Sequence, residues 1–126
     1  MQSLKVLNFA NMHFTSLTSS IGSLKTLCSL CLRGCDLEDI IILGELKHLE
    51  ILDLRESRIA ILPKEIGQLT RLKLIDLSDS ESLKVIPPGV LSSLSTLEEL
   101  YLYNNFDGWE VEGIDVLRSN SGLVEL

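Results

Sequence analysis

A chain of 126 residues, 45% hydrophobic and 23% charged, has the composition of one folded domain or a piece of a larger protein, not of a disordered segment. Its net charge of -7 excludes the basic stripe that nucleic acid rewards, and no apolar run is long enough to span a bilayer, Ile40–Leu43 having four residues. The opening stretch "MQSLKVLNFANMHF" lacks the charged and apolar regions of a secretory signal, and no N-x-S/T acceptor occurs, so the expected location is cytoplasmic.

Taken in chain order, short apolar-alternating segments recur. "LKVLNF" starts at Leu4, "LCSLCL" at Leu27, "LEILDL" at Leu49, "LKLIDL" at Leu72 and "LEELYL" at Leu97, and "LVEL" restarts the pattern at Leu123. The first five starts lie 23, 22, 23 and 25 residues apart, and the sixth follows 26 residues after the fifth. L-x-x-L-x-L at periods of roughly 20–29 residues is the leucine-rich-repeat signature.

Within each unit a strand is followed by an apolar descent through Phe14, Leu37, Ile59 or Leu83, then Leu17, Ile40, Leu62 or Ile86. "SSIGSL", "KEIGQL" and "GVLSSL" then pair apolar residues three or four apart, as one or two helical turns do. Pro63 and Pro87 suit the start of such a turn, where a missing N–H costs nothing. Gly22, Gly44 and Gly67 recur beside it and read as turn formers rather than a phosphate loop. No unit can bury its apolar side alone, so the units must stack. The predicted fold is an α/β repeat spanning residues 1–126 as one domain. It is a leucine-rich-repeat solenoid, a horseshoe arc with a concave parallel β-sheet and short helical or irregular convex segments.

Cys28, Cys31 and Cys35 have a C-x2-C-x3-C spacing that suits a metal or a redox pair. The repeat disperses them. Cys28 and Cys31 fall on variable strand positions, whereas Cys35 occupies the eighth place after the start, held elsewhere by Met12, Ser57, Ser80 and Asn105. There a buried donor can satisfy backbone carbonyls where the chain leaves the strand. No metal or other cofactor is therefore expected, and three thiols fit a reducing compartment. His13 and His48 sit at unrelated places without a nucleophile and orienting group, so no catalytic residue is assigned and no enzyme is expected.

Function is expected on the strand face, where positions two, four and six of each unit point away from the leucines. The candidate protein-binding residues are Asn8, Arg33, Ile51, Asp53, Arg55, Leu74, Asp76, Glu99, Tyr101 and Tyr103. Arg33 and Arg55 are placed to pair with the aspartates, and adjacent tyrosines are favoured at interfaces. A second candidate is the acidic stretch "NNFDGWEVEGID", which reads either as a projecting loop that touches a basic partner or as a loop over the solenoid flank, where Trp109 is expected to pack.

"LPKEIGQLTRL", "LCLRGCDLEDI", "DSESLKVIPPGVLSSLSTLEELYL" and "LEELYLYNNFDGWEVEG" resemble the repeats of plant intracellular nucleotide-binding leucine-rich-repeat disease resistance proteins of the coiled-coil class. The resemblance implies a non-catalytic interaction module used in effector perception and intramolecular autoinhibition. Its implied partners are a pathogen effector or the receptor's own nucleotide-binding domain. No nucleic acid or membrane partner is expected, and self-association through uncapped ends is. No G-x-x-x-x-G-K-S/T occurs, so no nucleotide switch carries over, and the chain reads as a fragment of a longer receptor. The alternative is a Ras-type signalling scaffold, which "LPKEIGQLTRLKLIDLSDS" also resembles but whose uniform units this chain lacks.

Overall fold

The alternation in each L-x-x-L-x-L segment requires a strand with one apolar side, and stacking requires these strands to lie parallel. A computed structural model of the protein describes residues 5–11, 13–14, 25–37, 40–80, 82–87, 89–102 and 124–125. Strands β1 (Val6–Asn8), β3 (Ser29–Cys31), β5 (Ile51–Asp53), β6 (Leu74–Asp76), β7 (Glu99–Tyr101) and β8 (Val124–Glu125) form one six-stranded parallel sheet in that order. Strands β2 (His13–Phe14) and β4 (Asp36–Leu37) begin a second, parallel ladder on the flank. Single bridges between Asp36 and Arg58, and between Ile61 and Val85, carry that pairing into later units.

Register makes the repeat visible in the core. Leu7, Leu30, Leu52, Ile75, Leu100 and Val124 are successive partners across the main sheet. On either side Leu27, Leu49, Leu72 and Leu97 form one buried row, and Leu32, Leu54, Leu77 and Leu102 another. Leu37, Ile59 and Leu83, with Ile40, Leu62 and Ile86, close the interior from the flank. Leu83, one place late in its unit, is as fully buried as Ile59's row requires, so the chain absorbs the extra residue before it. Each such side chain contributes about 1.5–3 kcal/mol by leaving water. At the first unit, Leu7 and Phe9 are only half-buried, packed against this core.

Among the described residues the convex side carries the 3-10 segments η1 (Ile41–Glu45) and η2 (Lys64–Gln68) and an α turn, α1 (Val90–Ser93). Pro63 stands just before η2 in extended backbone with φ −63, the value its ring imposes, and its missing N–H costs nothing there. The glycines here are not turn formers, contrary to the sequence expectation. Gly44 lies inside η1, where a Cβ would stand 2.7 Å from the backbone oxygen of Glu65; Gly67 lies inside η2, 3.3 Å from Ser93 Cβ on the same test. They are places where one convex segment touches the next, and the missing side chain sets how closely the units stack. Gly22 lies outside the described residues.

The turn formers sit elsewhere, one in each of the first four units, at the residue leaving the main strand. Asn11, Gly34, Glu56 and Asp79 have φ of 57, 71, 61 and 58, all left-handed. Glycine takes this conformation without cost, and Asn and Asp tolerate it; Glu56 is the residue least suited to it.

Immediately after each such turn comes the eighth position, and it behaves as the sequence indicated. The Ser57 hydroxyl donates to the Leu32 carbonyl at 2.9 Å, and the Ser80 hydroxyl to the Leu54 carbonyl at 3.0 Å. The Cys35 thiol reaches the Phe9 carbonyl at 3.8 Å. The same carbonyls of Leu32 and Leu54 also accept the backbone N–H of Cys35 and Ser57 in their own units. A buried ladder of side-chain donors thus ties each strand exit to the next. Met12 and Asn105 lie outside the described residues.

Candidate protein-binding face

With the leucines inward, the other strand positions form rows across the sheet. Position two runs Val6, Ser29, Ile51, Leu74, Glu99, and position four runs Asn8, Cys31, Asp53, Asp76, Tyr101, in register. Ile51 is 42% exposed and Val6 62%, while Leu74 is half-buried. The parallel register brings Ile51 and Leu74 side by side, an apolar pair separated from the exposed Val6 by Ser29.

The charges of this face are mostly paired within the chain. Arg55 grips Asp53 with Nε to Oδ1 at 3.0 Å and Nη2 to Oδ2 at 2.8 Å, and its Nε lies 3.6 Å from Asp76 Oδ2. Asp53 also accepts the Cys31 thiol at 3.7 Å. Burial alone would push the Asp53 carboxyl up, but the hydrogen bonds from the Arg55 side chain and backbone win and hold it below its ordinary value. Burial pushes the Cys31 thiol up, with the Asp53 charge adding to that.

Both aspartates do structural work as well. Asp53 Oδ1 accepts the Arg55 N–H at 3.0 Å, and Asp76 Oδ1 accepts the Ser78 N–H at 2.9 Å. Each carboxylate therefore folds back over the chain two residues on, as Asx turns do.

Two expectations about the face need correction. Arg33 does not pair with an aspartate; it holds Glu56 through Nε at 3.0 Å and Nη2 at 2.8 Å, because the left-handed turn at Glu56 leaves that carboxylate beside it. Position six is not uniformly outward either. Ser78 is buried, since the chain is already turning out of the strand there, while Ala10 and Arg33 are exposed. Asn8 is exposed, Tyr101 is half-buried with its hydroxyl donating to Glu99 Oε1, and Lys73 stands 3.9 Å from Glu50. Tyr103 and Trp109 lie outside the described residues.

The three cysteines do not converge. Cys28 is half-buried with its thiol 3.5 Å from the Thr26 carbonyl, Cys31 faces Asp53, and Cys35 is buried in the exit ladder. Among the described residues no three side chains of His, Cys, Asp and Glu are grouped to hold a metal. His48 is exposed and accepts from Arg71 Nη1 at 2.9 Å, while the position of the His13 side chain lies outside what is described.

What sequence reading missed is a second apolar surface on the flank. Ile41, Ile61 and Val85 are 51%, 57% and 43% exposed. A signal existed in "DIIILG", "IAIL" and "VIP": each places an extra aliphatic residue next to, or one place from, the one that turns inward, and alternation must send it out.

Among the described residues no helix is long and apolar enough to cross a membrane. The family model described as leucine rich repeat matches residues 47–106. A disease resistance protein of Arabidopsis thaliana is 37% identical over 87% of this chain, and the adenylate cyclase of Schizosaccharomyces pombe is 31% identical over 81% of it. The chain spans only 11% and 6% of those two proteins. Among solved structures, a leucine-rich-repeat protein of Leptospira interrogans superposes with a TM-score of 0.75 at 32% identity, covering 82% of this chain and 26% of that one. The ectodomain of the Arabidopsis thaliana membrane receptor kinase GASSHO1/SCHENGEN3, in complex with Casparian strip integrity factor 2, gives 0.66 at 29% identity, covering 82% of this chain and 13% of that one. Repeat period, parallel register, exit ladder and these likenesses agree: the chain is a leucine-rich-repeat solenoid, a protein-interaction module.

Proposed function

We propose that this solenoid is the non-catalytic recognition segment of a plant intracellular immune receptor, and that its strand face docks a protein. The observation that carries the reading is the Ile51–Leu74 pair, set in register on the strand face, with Ile51 exposed and Leu74 half-buried. Tyr101, beside Asp76 in the neighbouring row, adds an aromatic contact, and Asn8, Arg33, Arg55, Glu99 and Tyr103 belong to the surface we propose. The likeness to a plant disease resistance protein supports the immune assignment. The partners are a pathogen effector and the receptor's own nucleotide-binding domain, competing for one surface in the cytoplasm. Either would present an apolar contact and positive charge toward Glu50, Glu98 and Glu99.

The test measures binding to separately produced nucleotide-binding domain and effector at two salt concentrations. Tyr101→Ala and Ile51→Ser should each cost about 2 kcal/mol of affinity if they are anchors. Glu50→Lys with Glu98→Lys should slow association and flatten its salt dependence more than it changes dissociation. Asp53 and Asp76 are left intact because they also fold the strand exits. Binding that survives all four changes would place recognition on another surface.

A further inference from the structure

The strand face uses neither Ile41, Ile61 nor Val85, which lie on the flank where the second ladder runs. Isolated aliphatic residues on a surface need no explanation, but these are contiguous. Ile41 and Ile61 line one groove of about 440 Å³, and Ile61 is bridged to Val85 in the next unit. Leu37, Ile40 and Ile59, all buried, form the floor of that groove, and Pro63 helps to wall it.

Among the described residues, one charged group lines it. Glu65 is half-buried, and among the described residues its carboxylate makes no hydrogen bond or ion pair. The adjacent Lys64 does not line this groove but a separate hollow, with Gly67, Gln68, Gly89, Val90 and Ser93. A half-buried carboxylate beside an apolar trough still reaches water, and it offers a charge-assisted contact to a cation that a partner brings.

We infer that this flank groove is a second docking site, and that it takes a cationic amphipathic segment of a partner protein. An aliphatic or aromatic anchor lies between Ile41 and Ile61, and a neighbouring Lys or Arg meets Glu65. The site is independent of the strand face, so a partner held there leaves Ile51 and Leu74 free.

The experiment titrates the whole chain, its isoleucine, leucine and valine methyl groups labelled and assigned, with an amphipathic leucine–lysine peptide of about 14 residues. A leucine–glutamate peptide and a serine–lysine peptide serve as controls. The leucine–lysine peptide should shift the methyls of Ile41, Ile61 and Val85, and any shift of Ile51 and Leu74, where the strand face offers similar chemistry, is read as a separate event. Both controls should bind at least about tenfold more weakly. Ile61→Ser should weaken the leucine–lysine peptide by about tenfold or more, and its exposed position makes loss of the fold an unexpected outcome. Glu65→Lys should invert the preference toward the leucine–glutamate peptide, whereas Glu98→Lys, the same charge change elsewhere, should not. Shifts confined to Ile51 and Leu74, equal binding of the serine–lysine peptide, or insensitivity to both Ile61→Ser and Glu65→Lys would each overturn the proposal. So would self-association through Ile61 that excludes the peptide, which would make the occupant a second copy. Because the methyls of the two faces are read separately, failure here is distinct from failure of the strand-face reading.

Discussion

Ile51 and Leu52 are consecutive residues of one strand, yet they live in different regions of the molecule. Leu52 is fully buried between Leu30 and Ile75; Ile51 is 42% exposed between Ser29 and Leu74. Every unit repeats this division. From the second unit to the fifth the inward rows are leucine or isoleucine, because each must fill the same space between the same neighbours. The outward rows hold Val, Ser, Ile, Leu and Glu, or Asn, Cys, Asp, Asp and Tyr, because no shared space has to be filled there, although Asp53 and Asp76 also hold their strand exits. The comparison separates what makes the solenoid from what the solenoid carries, and the two should answer mutation differently.

The widest gap should lie between those two neighbours. Leu52→Ala removes a buried side chain mid-stack and should cost about 2–5 kcal/mol. Ile51→Ala should stay within about 0.5 kcal/mol, as surface changes usually do. Denaturant midpoints of the two variants decide this. Equal losses would mean that the outer row also holds the stack together.

Next comes the convex contact. Gly44→Ala brings a Cβ to 2.7 Å from the Glu65 backbone oxygen, which cannot swing aside as a side chain would. It should destabilise by about 1–3 kcal/mol, as overpacking does. Gly67→Ala meets Ser93 Cβ at 3.3 Å, and a small shift together with alanine's better helix propensity should leave it near neutral. Calorimetry of both variants would expose a reversed order, which would mean that the two convex junctions are packed differently from what the distances imply.

The exit ladder should give a smaller effect. Ser57→Ala withdraws one of two donors from the Leu32 carbonyl and should cost about 1 kcal/mol, since the Cys35 N–H still satisfies that oxygen. Cys35→Ser copies the residue used at Ser57 and Ser80 and should be close to neutral. Cys35→Ala should lose about as much as Ser57→Ala. Thermal melts of the three would refute the ladder if the alanine variants matched wild type.

How much of this was legible follows from the same division. The core rows, the parallel sheet and the donor at the eighth position could be read from sequence because they repeat, and five restarts of one template outweigh any local ambiguity. The role of Gly44 and Gly67 could not, since a glycine that admits a neighbour and one that makes a turn look alike until the neighbour is in place. The left-handed residue at each strand exit hid because four different residues occupy it, Asn11, Gly34, Glu56 and Asp79. The partner of Arg33 followed from that turn and was equally hidden. On the strand face, pattern shows which side chains point out but not which are already engaged. Only the structure reveals that Asp53 and Asp76 spend part of their hydrogen-bonding capacity on their own strand exits.

The smallest expected effect belongs to the Asp53–Arg55 pair, and its pH dependence carries more information than its size. At Asp53 burial opposes ionisation and Arg55 favours it, and the second prevails, so the folded carboxyl titrates below its ordinary value of 3.8. A lowered folded value stabilises the protein where the unfolded chain would also be ionised, and that contribution fades as pH falls through the folded value. The stability difference between wild type and Asp53→Asn should therefore be constant from pH 7 down to the ordinary carboxylate range and shrink only below it. Because Arg55 is partly exposed, the pair should contribute no more than about 1 kcal/mol, and less in high salt. Urea titrations of the two proteins at several pH values measure this. A difference that begins to close near neutrality would mean that burial outweighs the arginine, and that Asp53 is held for its place at the strand exit rather than for its charge.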